Sequence, residues 1–561
     1  MLMYAGHSLI NDHPPFGKPR VGLVCLRGLA GLVMFALMLV AFPLFAGDRP
    51  NIVIILADDM GYSDIGCYGS EIPTPNLDKL AANGVRFTQF YNTGRCCPSR
   101  ASLLTGRYAH AAGVGHMVYG GDKGPGYHGY LTEDSVTLAE ALKPAGYQTF
   151  MSGKWHVGHA KGQWPTDRGF DRFFGIHIHV DSFFRVLKEA PVYRDGKLAI
   201  APTEGPVPVG DNESEWYTTD VFTTEAIRML DERDHDKPFM LYIAHNAPHW
   251  PLEAPQENIE NFVGKYMAGW TELRQARLDK MKSLGLVAEG VQLPPSDAVR
   301  WESLSDDDRE NLDFRMAIYA AMIQRMDQNI GRLINKLEAE DELDNTIIFF
   351  LSDNGGNAEA GPFGYQFKKN RKANFEDWRT VGRRSSSIGL CWAEATNTPF
   401  RMFKKYNHEG GIATPLIVHW PAGLPEQSRG KLTTAVGHVI DFMPTCLELA
   451  GAAYPTVRNG NKTATFDGKS LVSAFDTAAT QELRGPLFWE HEYHAAVRVG
   501  GWKLVTLDFR NDDAWELYHL KVDRNELNNL AEQQPDLVQS MRSAWHTWAK
   551  KNNVVPKPVR K

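Results

Sequence analysis

Five runs of consecutive apolar residues punctuate the chain, at Asn51–Ala57, Gln148–Met151, Phe239–Ala244, Ile347–Leu351 and Pro415–His419. None alternates with polar residues, so each predicts a strand buried on both faces of a mostly parallel sheet. Between them the apolar spacing predicts helices at Pro75–Asn83, Val136–Ala145, Thr223–Glu232 and Asp313–Glu338. Strand and helix alternating over about 400 residues predict an α/β fold, a large sheet flanked by helices.

The pattern changes after Pro444. Thr445–Ala452 closes a helix and Pro455–Ser470 is a loop rich in Gly, Asn and Pro. Short strands at hairpin spacing then come at Leu487–Glu492, Ala496–Val499, Trp502–Thr506 and Trp515–Tyr518, before an amphipathic helix at Pro535–Lys550. These predict a small C-terminal α+β domain with an antiparallel sheet, residues 451–561, beside a large domain of residues 47–450. Gln256–Asp308 is charged and irregular in its hydrophobic phase, which predicts an insertion lying over one face of the large domain.

At the N-terminus, Lys18, Arg20 and Arg27 precede an apolar stretch from Leu29 to Phe45 that ends near Ala46-Gly47. That order is the order of an export signal, so residues 1–46 are read as a signal peptide. The mature protein is then expected in the periplasm or outside the cell, without stable membrane insertion. An apolar run of 17 residues also sits at the short edge of what spans a bilayer, so a retained anchor is the alternative.

Composition narrows the function classes. The 561 residues carry 60 Lys+Arg against 67 Asp+Glu, a net charge of −7, which argues against nucleic acid as a partner. Six Cys are too few for a disulfide scaffold, and no zinc-finger spacing occurs.

The residues just past each apolar run carry the chemistry. The runs lead into Asp58-Asp59, into Gly153-Lys154-Trp155-His156, into His245-Asn-Ala-Pro-His249, and into Ser352-Asp353-Asn354-Gly355-Gly356. In an open α/β sheet the carboxyl ends of the strands converge on one crevice. Asp58, Asp59, Asp353 and Asn354 offer hard oxygen ligands, suited to one Ca²⁺ or Mg²⁺ rather than to zinc or copper. Taken singly, each pair also reads as ordinary turn residues. Pro98 suits the first position of a helix, which puts Cys96 and Cys97 at its anion-attracting N-terminus, with Arg100 one turn on.

Together these residues resemble the type I sulfatases, the arylsulfatase family of the alkaline-phosphatase-like superfamily. The family signature Cys-x-Pro-Ser-Arg-x-x-x-Leu-Thr-Gly-Arg is matched without a gap from Cys96 to Arg107. Further matches are Ala57-Asp-Asp-Met-Gly61, Gly153–His156, Gly169–Gly175, Ala247–Pro251, Ser352–Gly356 and Lys404–Gly411. The resemblance implies an alkaline-phosphatase-like large domain with a small C-terminal one. It implies hydrolysis of a sulfate monoester, on a sulfated small molecule or glycan, through a formylglycine-sulfate covalent intermediate. Cys96 is then the modified residue, oxidised to Cα-formylglycine by a maturation enzyme, and a ligand of the metal with Asp58, Asp59, Asp353 and Asn354. The metal is expected to be Ca²⁺, with Mg²⁺ the alternative.

By the same resemblance Arg100 positions the formylglycine hydrate, Lys154 and Lys404 neutralise sulfate oxygens, His249 is the general acid, and His156 the base that releases sulfate. Lys154, His249 and Lys404 therefore also bind substrate. Lys405 adjoins Lys404, and a slip of one residue would exchange them. The family's Arg after Gly-Gly-Ile is replaced by Ala413, which predicts a lost ion pair. Two rivals remain: a phosphonate or phosphodiester hydrolase of the same superfamily, and a sulfated-glycan-binding protein if Cys96 stays a thiol. Pocket walls are expected from His177, His179, the insertion near Trp270, the Trp378–Trp392 segment, His491, His494 and Arg498.

Overall fold

A ten-stranded mixed sheet runs through the protein, ordered β10-β2-β9-β8-β1-β7-β3-β4-β5-β6. Its strands are β1 (Asn51–Asp58), β2 (Val85–Tyr91), β3 (Gln148–Lys154), β4 (Arg172–Ile176), β5 (Val192–Arg194), β6 (Lys197–Ile200), β7 (Phe239–Pro248), β8 (Thr346–Ser352), β9 (Ala413–His419) and β10 (Lys431–His438). The computed structural model describes residues 49–119, 122–202, 208–209, 214–367, 386–478 and 485–554; the expected signal peptide and Trp378 lie outside them.

The central strands β8, β1, β7, β3 and β4 are parallel, and β9 is antiparallel to both of its neighbours. All five apolar runs fall in this sheet, the fifth in antiparallel β9. The reason for their unbroken hydrophobicity is visible in β1. Ile52, Ile54 and Leu56 enter one core, while Val53, Ile55 and Ala57 enter another on the opposite face. With helices on both sides, neither face can be polar.

The helix expected at Asp313–Glu338 begins earlier, at Asp306, and runs to Ala339. Ser305 caps it by accepting from the Asp308 N–H at 3.2 Å, and Asp306, Asp307 and Asp308 occupy its positive end. Those first turns are polar or poorly periodic, so hydrophobic spacing misses them. The helix expected from Thr223 likewise starts at Thr218, and Val136–Ala145 shortens to Leu138–Leu142 with one further turn. In the insertion, helix Gly269–Ser283 buries Trp270 edge-on against Trp301 and Trp392, ring centroids 4.8 and 5.4 Å away. Trp270 and Trp392 are core, not pocket wall, which corrects the expectation for both.

The C-terminal strands β11 (Leu487–His491), β12 (His494–Val499), β13 (Trp502–Thr506) and β14 (Trp515–His519) form an antiparallel meander. Helix Pro535–Lys551 packs on it through Trp545 and Trp548, the latter stacked on Phe488 at 5.3 Å. This sheet is tied to the large one by buried charge. Lys503 Nζ lies 2.9 Å from Glu409 and 2.8 Å from Glu526, all three fully buried. Arg524 and the Tyr91 hydroxyl donate to the other Glu409 oxygen, each at 2.9 Å. Glu409 opens the Glu-Gly-Gly step, so the cation missing at Ala413 does not leave it unpaired. Replacing Lys503 by Met leaves two buried carboxylates facing each other, and a stability loss of about 3–5 kcal/mol is expected in urea unfolding.

A buried acid four residues beyond His249 is expected to make stability pH-dependent. Glu253 accepts from Ser182 Oγ at 2.9 Å and from the Phe183 N–H at 2.6 Å, yet burial pushes its carboxyl up to about 7. The folded form then holds a proton that the unfolded chain releases near the ordinary value. Its contribution is complete below that value and is lost as pH rises toward 7, on the order of 3 kcal/mol. Glu253→Gln keeps an acceptor oxygen and is therefore expected to gain stability over the wild type between pH 5 and 8, read from urea midpoints. Among the described residues no helix is long and apolar enough to cross a membrane.

Candidate active site

The carboxyl ends of four parallel strands deliver the polar residues to one place. β1 ends in Asp58 and continues into Asp59, which adopts a left-handed φ of 66°. β3 ends in Lys154, and the chain turns at His156, φ 59°. β7 ends at Pro248 just before His249, and the peptide bonds preceding Pro248 and Pro251 are both cis. β8 ends at Ser352 before Asp353 and Asn354. The next two residues, both glycines, are required by close packing: a Cβ on Gly355 would lie 1.9 Å from the Gly410 carbonyl oxygen.

Two charge clusters result. In the first, Asp58 accepts from Lys154 Nζ, and Arg100 donates to Asp353 Oδ2 through Nε at 3.0 Å and Nη2 at 2.7 Å. Arg100 Nη1 donates to the Lys154 carbonyl at 2.8 Å, and Nη2 lies 3.6 Å from Asp58. In the second, Asp59 accepts from Lys404 Nζ and Asn357, both at 2.8 Å, and from Asn354 at 2.7 Å, with His249 Nε2 3.4 Å away. The other His249 nitrogen is 2.6 Å from the Trp250 carbonyl oxygen. All of these side chains are buried. Lys405, by contrast, takes φ 85° and points its ammonium at Glu492, 3.2 Å away.

Cys96 opens the helix Cys96–Thr105, two residues ahead of the start expected at Pro98. Ser99 sits in its first turn and accepts from the Thr93 N–H at 3.0 Å, holding the entering chain. The Cys96 thiol is pulled well below its ordinary range by a hydrogen bond from Cys97, and then by Lys154 and His156. Burial, and the Lys154 charge next, push His156 down to about 4, so it is neutral and able to accept a proton. Its Nδ1 is buried without a partner, while Nε2 is 3.0 Å from the Tyr119 hydroxyl.

The donors fit a hard cation. Asp58 Oδ1 and Asn354 Oδ1 are both buried without a hydrogen-bond partner, a cost of about 1–3 kcal/mol each that a bound ion would remove. Burial and the facing Asp58 carboxylate push Asp353 well up, the repulsion a divalent charge would relieve. Asp58, Asp59 and His249 bring ligand atoms within 4.8 Å of one another. Asp353 is turned to Arg100 and to the Asp59 N–H, and Cys96 groups with Cys97 and His156 rather than with the carboxylates.

Four neighbours escape sequence reasoning. Asn357 and Glu359 lie just beyond Gly355-Gly356, where loop position alone was a usable signal. Asn357 holds Asp59, while Glu359 accepts from Arg95 and Trp250 Nε1, both at 3.0 Å. Tyr119 has no sequence signal, and Arg95 precedes the motif. Of the expected pocket walls, His179 is near, 5.7 Å from the His249 ring. His177 instead stacks on Trp164 and Tyr193, Arg498 donates to Tyr91 and Gln89, and His494 stacks on Tyr406. These three are packing residues, correcting the expectation.

Comparison with known proteins agrees with this geometry. The Sulfatase family model matches residues 50–452, and the model for the C-terminal region of N-sulphoglucosamine sulphohydrolase matches residues 400–550. An uncharacterized sulfatase of Schizosaccharomyces pombe is 35% identical, covering 91% of this chain and 95% of its own. An arylsulfatase of Klebsiella aerogenes is also 35% identical, over 72% of this chain and 87% of its own. The crystal structure of Ps i-CgsB in complex with k-i-k-neocarrahexaose superimposes with a TM-score of 0.64 at 25% identity, covering 91% and 94% of the two chains. The chain belongs to the sulfatase family, enzymes that hydrolyse sulfate esters.

Proposed function

We propose that the protein cleaves a sulfate monoester to an alcohol or phenol and inorganic sulfate, with Cys96 matured to Cα-formylglycine and one Ca²⁺ held by Asp58, Asp59, Asp353 and Asn354. The observation that carries this reading is the convergence of Cys96, at a helix N-terminus, with Lys154 and His156, beside carboxylates whose oxygens lack partners. When bound, the cation polarises a sulfate oxygen, and formylglycine supplies, as its hydrate, an oxygen nucleophile in place of sulfur.

The chain's own residues do the rest. Lys154 and Lys404 carry the positive charge that sulfate oxygens need, and both are held in position now by Asp58 and Asp59. Arg100, locked by Asp353 and the Lys154 carbonyl, presents its charge to residue 96. His249 is oriented by the Trp250 carbonyl so that Nε2 can protonate the leaving oxygen. Neutral His156 can accept the proton whose removal frees sulfate. The substrate is proposed to be a sulfated small molecule or sulfated sugar, since relatives include an arylsulfatase and a protein crystallised with a neocarrahexaose. Export to the periplasm or beyond is proposed on the leader alone.

The test is hydrolysis of a chromogenic aryl sulfate and of the matching phosphate monoester and diester, with protein from a host that makes formylglycine. Sulfate turnover that disappears in Cys96→Ala is expected. Phosphoester turnover without sulfate turnover would overturn the reading in favour of a sister hydrolase.

A further inference from the structure

A second constellation of donors lies beside the site and takes no part in it. His116 precedes Met117, whose Sδ is 3.9 Å from Cys96 Sγ. His491 and Glu492 come from the small sheet, at the end of β11 and in the turn to β12. His116 Nε2 is 3.0 Å from Glu492 Oε1, His491 Nε2 is 3.9 Å from the same oxygen, and the three donor atoms all lie within 4.8 Å of one another. The separations bracket the roughly 3.4 Å expected between neighbouring ligands of a tetrahedral ion with bonds of 2.0–2.1 Å.

His491 is 0% exposed, and neither of its ring nitrogens has a hydrogen-bond partner. Leaving a buried polar side chain so is costly, and a water or an ion is what relieves it. Lys405 takes the second oxygen of Glu492, and Oε1, now 3.0 Å from His116 Nε2, is the oxygen an ion would share with both imidazoles. The turn that presents it is unusual. His491 pairs with His494 across a two-residue loop in which Glu492 and Tyr493 both have positive φ, 50° and 74°. Such loops favour Asn-Gly, and retaining a Glu there holds its carboxylate facing His116.

We propose that His116, His491 and Glu492 form a binding site for a zinc-class transition-metal ion, distinct from the all-oxygen site of Asp58 and Asn354. Two imidazoles and a carboxylate with one position left open suit zinc and its analogues rather than Ca²⁺. The ion would join the β11–β12 turn of the small sheet to the segment of the large domain that borders Cys96.

The probe is Zn²⁺ itself, with Co²⁺ as its coloured analogue, added to tag-free full-length protein in excess Ca²⁺. Cys96, Cys97 and His156 form the competing soft group, so a Cys96→Ala/Cys97→Ala double variant is measured alongside. One zinc per chain and tetrahedral-type cobalt absorption are expected in both the wild type and the double variant. His116→Ala and Glu492→Gln alter partly exposed side chains, and each is expected to bind at least about tenfold more weakly while keeping wild-type circular dichroism. Wild-type protein that takes up no zinc, affinity unchanged in His116→Ala and Glu492→Gln, or zinc lost only in the double cysteine variant would each overturn the proposal.

Discussion

Arg100→Ala is expected to lose about 3–5 kcal/mol of stability in urea unfolding without divalent cations, and to lose aryl sulfate turnover as well. The guanidinium is fully buried and is shared between Asp353, Asp58 and the Lys154 carbonyl. Without it two carboxylates face each other in a dry pocket and a buried carbonyl loses its donor, which is the costly way to break an ion pair. Lys at this position is expected to restore only part of the loss, because an ammonium cannot span both partners as a fork does. If the proposed Ca²⁺ site is correct, saturating Ca²⁺ should narrow the gap between variant and wild type, since the cation would supply the missing charge to the folded state alone. Equal stability of the two proteins in EDTA would show that the carboxylates do not depend on Arg100.

Lys404→Ala is expected to lower kcat/KM for an aryl sulfate about 10²–10³-fold, the usual cost of removing one preorganised charge from a transition state. Lys405→Ala should stay within about threefold. The residues are adjacent, but the left-handed turn at Lys405 separates them. Lys404 Nζ reaches Asp59 among the buried carboxylates, while Lys405 Nζ reaches Glu492 at a half-exposed position where a single pair contributes about 0–1 kcal/mol. Steady-state kinetics of the two variants decide the matter. A large loss in Lys405→Ala with Lys404→Ala near wild type would reverse the assignment.

The strands were legible in the sequence because the same physics acts at every residue of a strand covered on both faces. Ile52 through Leu56 must all be apolar when alternate side chains enter two different cores. The strand tips stood out for the opposite reason: Asp58-Asp59 and Asp353-Asn354 are polar pairs that follow unbroken apolar runs, and the fold buries all four, although each pair alone also reads as a turn. The long helix lost its first turns to sequence reading because Asp306, Asp307 and Asp308 stabilise it through capping and dipole rather than through an apolar stripe. The aromatic residues misled. Trp270 of the insertion packs on Trp392, and the sequence carries no mark that separates a stacked Trp or His from one that touches substrate. Asn357, Glu359 and Tyr119 reach the site from loops whose paths depend on tertiary packing, and no periodic pattern records that. The Lys404–Lys405 ambiguity is one of register, and sequence spacing carries no mark of the left-handed turn at Lys405 that sends one ammonium to Asp59 and the other to Glu492.

The central claim is that residue 96 works as an aldehyde hydrate and not as a thiol. The most direct measurement prepares the protein with graded amounts of the maturation enzyme and reads two quantities on each sample. One is the fraction of the Cys96 peptide in which a sulfur and two hydrogens have been exchanged for an oxygen, by mass spectrometry. The other is aryl sulfate turnover per chain. The account predicts turnover proportional to the converted fraction, with no activity where conversion is nil. Turnover that persists in fully unconverted protein, or that stays at zero in fully converted protein across sulfate esters of phenols and sugars, would contradict it.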